Sequence, residues 1–177
     1  MKRLIMAILL SAAGWSASYD PFLLDTQLTL LPKIAMLEKN ILSSTRKSPM
    51  KILIVYDRGD DETAALCTKI LMSKFNGNVN GHPITVTTLP FDKLDGPQSY
   101  HLIYALKGSA SQLGKIRNVS SSGAVTAIYD ADKLSDEGFL LSIKMERTPA
   151  VLINAKVLRE NHFSFPDSLL EISRIIQ

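Results

Sequence analysis

Apolar residues change their spacing several times along this chain, and each change marks an element. In DPFLLDTQLTLLPKIAMLEKNIL (20–42), Leu23, Leu30, Ile34, Leu37 and Ile41 fall on one face of a helix. Leu24, Leu28 and Leu31 form a second stripe beside them. Asp20 suits the N-cap and Pro21 the first turn. Pro32 cannot donate to the Leu28 carbonyl and its ring crowds that group, which predicts a kink or break near Leu31. Two adjacent leucine stripes exceed what one face laid on a sheet needs. Leu24, Leu28 and Leu31 are therefore candidates for contact with a partner or a second copy of the chain, the alternative being a helix buried between two layers.

From residue 50 the pattern becomes one of short runs. MKILIVY (50–56) reads as a buried strand, and 61–76 as a helix closed by Gly77. ITVTTLP (84–90) alternates as a strand does, YHLIYALKG (100–108) is another strand, and 109–118 reads as a helix. AVTAIYD (124–130) is a strand and 131–138 a short helical turn. FLLSIKME (139–146) and PAVLINA (149–155) are strands joined as a hairpin. KVLREN and PDSLLEISRIIQ (166–177) read as helices, with Leu169, Ile172 and Ile176 on the core face of the last. Strands alternating with helices predict an α/β fold: a mainly parallel sheet with helices on both faces, a late β-hairpin at one edge and a C-terminal helix.

The first residues stand apart from this pattern. MKRLIMAILLSAAGWSAS has a basic start, an apolar stretch from Leu4 to Ala13 and then small residues. That layout predicts a signal peptide over 1–18, cleaved after Ser18 or after Gly14, and export to the periplasm. The apolar run is half the ~20 residues a spanning helix needs. Residues 19–177 are then a single α/β domain, with a leading helix over 19–42 and the sheet and helices over 50–177.

Removal of the leader alters the charge. The 177 residues carry 20 basic and 17 acidic side chains, a net charge of +3. Without Lys2 and Arg3 the balance is 18 against 17, or +1. That offers no electrostatic argument for nucleic acid as a partner. Cys67 is the single cysteine, so no internal disulfide can form. Its helical spacing with Ala64, Ile70, Leu71 and Phe75 marks it as a buried thiol.

One loop draws attention. IVYDRGDDET (54–63) places Asp57, Asp60, Asp61 and Glu62 just after a strand, where α/β proteins bind ligands. A phosphate loop needs hydroxyls and amides, and four carboxylates repel an anion. A receiver-like Mg²⁺ pocket needs a further aspartate after a later strand, and YHLIYALKG ends in Lys107 and Gly108. The reading favoured is a charged helix start, with Asp60 as cap and Asp61 and Glu62 against the positive helix end. Contact of Asp57, Asp60 and Asp61 with a ligand or partner is the other reading. His82, His101 and His162 have no ligand-like spacing, and Ser109 and Ser111 suit a helix start. No catalytic set, cofactor motif or metal motif is expected.

The C-terminal third, GFLLSIKMERTPAVLINAKVLRENHFSFPDSLLEISRII (138–176), resembles the end of the YfiR/HmsC-like periplasmic family. The matching features are Gly138 opening a strand hairpin, the pair Ile153 and Asn154 ending its second strand, and the pair Leu169 and Leu170 in a final helix. GHPITVTTLP followed by YHLIYAL is similar to the middle of that family. The resemblance implies a small exported domain, often dimeric and not an enzyme. It also implies a partner: the periplasmic part of a membrane diguanylate cyclase, whose cyclic-di-GMP output and biofilm traits such proteins restrain. The chain departs from the family in having one cysteine, which excludes the redox-responsive disulfides, and no Trp-Pro ending to its first helix. Two other readings remain open: a periplasmic small-molecule-binding domain like one lobe of a transport receptor, and a flavodoxin-like electron carrier.

Overall fold

A computed structural model describes residues 18–46, 48–96, 99–120 and 123–177. The predicted leader lies outside the described residues, except Ser18. The chain forms α1 (Pro21–Ala35), α2 (Lys39–Ser44), β1 (Met50–Tyr56), α3 (Asp61–Phe75), β2 (Asn78–Val79), β3 (His82–Pro90) and β4 (Leu102–Ala105). It continues with α4 (Ala110–Val119), β5 (Val125–Ile128), β6 (Leu141–Met145), β7 (Pro149–Asn154), α5 (Ala155–Glu160), α6 (Asp167–Ile172) and β8 (Arg174–Ile176). The eight strands lie in one sheet in the order β2-β3-β1-β4-β5-β6-β7-β8. The run β3-β1-β4-β5-β6 is parallel, and β6 and β7 form the antiparallel hairpin.

The strands are apolar on both sides because both faces are covered. Ile52, Ile54, Tyr104, Ala127 and Ile143 meet α1 and α3 on one face, together with Leu24, Leu28, Cys67 and Leu71. Leu53, Val55, Ile103, Ala105 and Ile128 point the other way, into a second core with Leu113 and Ile116 of α4. Successive residues of one strand thus feed opposite cores.

The leading helix corrects the sequence reading in two ways. It does not break at Leu31: α1 runs through Pro32 to Ala35, and Met36 closes it with bonds to the Pro32 and Ile34 carbonyls. And Leu24, Leu28 and Leu31, the proposed contact stripe, are 1–2% exposed in the core. The exposed apolar positions are instead Phe22 in the first turn and Leu37 just past the helix, with Leu23 and Leu30 half-buried. The misreading has a cause at Gln27, a polar residue in the middle of the buried face. Its amide donates to the carbonyls of Tyr129 (3.0 Å) and Ile143 (2.8 Å) and accepts from the Tyr104 hydroxyl, fastening α1 across β4, β5 and β6.

The C-terminus is corrected as well. The predicted helix over 166–177 stops at Ile172, which is 78% exposed, and the chain turns into β8. β8 pairs in parallel with β7, so it flanks the hairpin on its outer side. A bidentate pair between Arg174 and Glu146 (2.8 and 3.2 Å) ties it to the hairpin turn. β2, two residues beside the start of β3, was not predicted.

Candidate functional site

The topology picks out one place. From β1 the chain goes through α3 to β3 on one side, then crosses to β4 on the other. The carboxyl ends of β1 and β4 therefore flank the switch point of the sheet, the usual ligand position in open α/β folds. Asp57 to Asp60 follow β1, and Leu106 to Ser109 follow β4.

Each polar group there is held by another. Asp57 Oδ1 accepts from Gln112 Nε2 (2.6 Å) and from the Arg58 N–H (2.9 Å). Ser109 caps α4 in a capping box: its Oγ accepts from the Gln112 N–H, and Gln112 Oε1 accepts from the Ser109 N–H at 2.8 Å. Ser111 Oγ lies 3.1 Å from Ser109 Oγ. Asp61 accepts from the Tyr56 hydroxyl and the Gly59 N–H, both at 3.2 Å. Arg58 pairs with Asp92, which holds that carboxyl below its usual range.

Asp60 differs from its expected role. It stands at the start of α3, but its side chain makes no capping bond. It is 3% exposed, and its Oδ2 accepts from the Tyr19 hydroxyl at 2.6 Å. A buried carboxylate needs such a donor, and the side chain turns inward to meet it.

Tyr19 belongs to an extended stretch, Ser18–Asp20, that crosses this end of the sheet before α1 begins. Its hydroxyl also accepts from the Lys107 N–H at 3.0 Å. Its ring meets that of Tyr129 edge-on, with centroids 4.9 Å apart. The Lys107 ammonium lies 5.3 Å from the Tyr19 centroid and 5.5 Å from that of Tyr129, and donates to the Ser18 carbonyl. The Asp20 N–H donates to the Tyr129 hydroxyl (2.8 Å), while the Asp20 carboxylate caps α1 as expected, at 2.8 and 2.9 Å. Burial, then the bond to Asp60, pushes the Tyr19 phenol well above its usual range. Burial also raises the Tyr129 phenol. A cavity of about 270 Å³ lies between Asp57, Asp60, Lys107 and Gln112, and another of about 320 Å³ between Asp20, Tyr129, Asp130 and Lys144. Lys107 lines both, and Tyr19 touches residues of each.

Sequence reasoning found Asp57, Asp60 and Asp61 but missed Tyr19, Lys107, Gln112 and Tyr129 as their company. A polar or aromatic residue directly after a strand was the available signal for Lys107 and Tyr129; nothing marked Tyr19.

The residues of the family resemblance lie elsewhere and have local roles. Gly138 has φ +69°, and a Cβ there would stand 2.8 Å from Arg117 Nη2, whose guanidinium donates to the Glu137 carbonyl. Ile153 is fully buried. Asn154 caps α5 by accepting from the N–H groups of Lys156 (3.0 Å) and Val157 (3.2 Å). Leu169 is in the core and Leu170 packs against it. Among the described residues no group of three His, Cys, Asp or Glu is placed to hold a metal, and no helix is long and apolar enough to cross a membrane.

No family model and no curated protein matches the chain. Solved structures do. A crystal structure of a conserved domain protein from Vibrio cholerae O1 biovar eltor superposes with a TM-score of 0.58 at 13% identity, over 91% of this chain and 62% of that one. The ABC domain in complex with L-Trp from Streptococcus pneumonia superposes with a TM-score of 0.55 at 11% identity, over 87% of this chain and 62% of that one. At such identities the likeness is one of fold, and the chain spans about three fifths of the length of each.

Proposed function

We propose that the protein is an exported, non-enzymatic regulatory module that binds a protein partner, of the kind that restrains a membrane diguanylate cyclase. The observation that carries this reading is the committed state of the switch-point crevice. Its carboxylates, hydroxyls and ammonium are bonded to the chain's own groups, and its centre is filled by Tyr19. With the crevice occupied by the chain's own groups, the outer surface is what is offered to a protein partner. The roles of Gly138, Asn154 and Leu169 agree with a resemblance that is carried by structural residues. The test is co-expression with a candidate cyclase from the same envelope, with cyclic-di-GMP as the readout. A lowered level, together with recovery of that cyclase on the tagged protein, is the expected result. Unchanged cyclic-di-GMP and no cyclase recovered would sink the proposal. Sequencing the N-terminus of the exported protein checks the leader: cleavage after Gly14 keeps Ser18 and its bond to Lys107, and cleavage after Ser18 makes Tyr19 the first residue.

A second reading is a small-molecule-binding domain similar to one lobe of a transport receptor. It is favoured by the fold shared with the L-Trp complex. A thermal-shift panel of amino acids tests it: saturation at 100 times Kd adds about 2.7 kcal/mol, and an unmoved melting curve across the panel argues against it.

A further inference from the structure

The crevice holds the ring of Tyr19 as a receptor holds a ligand. One oxygen receives both halves of phenol recognition: it donates to Asp60 Oδ2 and accepts from the Lys107 N–H. The ring has an aromatic wall in Tyr129 and a cation over its face in Lys107. Yet Tyr19 is presented by neither helix nor strand. It comes from a three-residue strap, pinned by the Asp20 N–H on the Tyr129 hydroxyl and by Lys107 on the Ser18 carbonyl. The two cavities on either side of Lys107 adjoin the groups that hold this ring.

We infer that the switch-point crevice is a recognition site for a phenolic ring, which the chain fills with its own Tyr19, and that a small phenolic molecule binds there by displacing the Ser18–Asp20 strap. The inference rests on the small-molecule reading and adds to it the place and the class of ligand. The buried Asp60 acceptor selects for the hydroxyl, because a ring that carries one restores the bond that Tyr19 donates and a bare ring does not. The strap acts as a competitor, so the apparent affinity of the wild-type protein is reduced by the fraction of time the strap is away.

The experiment titrates p-cresol and toluene into the exported protein, its N-terminus determined as above, and into its Tyr19→Ala variant by calorimetry, with thermal melting in parallel. Tyr19→Ala is expected to bind p-cresol at least about tenfold more tightly than wild type, to prefer it to toluene, and to lose that preference when Asp60→Ala is added. If Tyr19→Ala is unfolded alone, recovery of its circular dichroism on adding p-cresol but not toluene reads the same equilibrium. No binding or recovery with p-cresol, equal affinity in wild type and variant, or equal binding of toluene would each overturn the inference. An amino acid that stabilises the wild type while p-cresol leaves Tyr19→Ala unchanged overturns it too, and leaves the small-molecule reading standing.

Discussion

Tyr104 donates its hydroxyl to the side-chain carbonyl of Gln27, 77 residues away in sequence and fully buried in the core. The Gln27 amide donates both its protons to backbone carbonyls, of Tyr129 just past β5 and of Ile143 in the middle of β6, so the four groups form a closed polar set inside an apolar layer. Gln27→Ala strands two carbonyls and a hydroxyl and is expected to cost about 3 kcal/mol, and Tyr104→Phe about 1–2 kcal/mol. Urea unfolding reads both. The double variant should cost less than the sum, because each single change already breaks the shared bond.

Asp60 and Asp61 are adjacent but unequal. Asp60→Ala removes a buried acceptor of the Tyr19 hydroxyl and is expected to cost roughly 2 kcal/mol. Asp61→Ala loses an exposed helix-start carboxylate and should cost less than about 1 kcal/mol. Equal losses in denaturant melts would show that both act only on the helix end.

Much of this was legible in the chain. The runs at 50–56, 124–130 and 149–155 and the helix at 61–76 announce an α/β sheet through their periodicity alone, which local sequence encodes. Three features were hidden for a physical reason. Gln27 is polar yet inward, because its partners are carbonyls of Tyr129 and Ile143 that only the assembled sheet brings together. Ile172 is apolar yet outward, and the run it belongs to changes from helix to strand across the single residue Ser173. Tyr19 finds Asp60 across 41 residues, a pairing set by topology.

Gly138 combines a left-handed backbone with a guanidinium at its back. Gly138→Ala should lower stability by about 1–2 kcal/mol from the backbone strain, with a further loss from the contact with Arg117. Adding Arg117→Ala should return only the steric part. A melting temperature of the double variant equal to wild type would contradict the strain.

His101 carries a pH dependence. Its Nδ1 accepts from the Lys51 N–H at 2.9 Å, and burial, then the Lys51 charge, lowers its pKa. A lowered pKa means the unfolded chain takes the proton first. The contribution of this neutral ring is therefore intact above about pH 6.5, the unfolded value, and is lost as the pH falls through the folded value. His101→Asn, which keeps an acceptor but no titration, should flatten the acid limb of a stability-pH curve. An unchanged slope would assign that limb to other groups.

Burial pushes the Cys67 thiol up to about 12. At pH 8 a maleimide should therefore leave the folded protein unlabelled and react at once when urea is added. Labelling without denaturant would mean that α3 opens locally.

The fastening of α1 sets an order of events. Gln27 is bonded to Ile143, 116 residues downstream, and the Glu38 carboxylate that caps α2 also accepts from the Ser164 N–H, 126 residues on. The leading helix and α2 thus have partners in segments synthesised well after them. Contacts so distant in sequence close slowly. Until residues beyond Ser164 are available, Leu24, Leu28 and Leu31 have no finished surface to cover, and the nascent chain carries an unsheltered leucine face. A chaperone that holds amphipathic helices, supplied during synthesis, would raise the yield of folded protein more than one added after the last residue is in place.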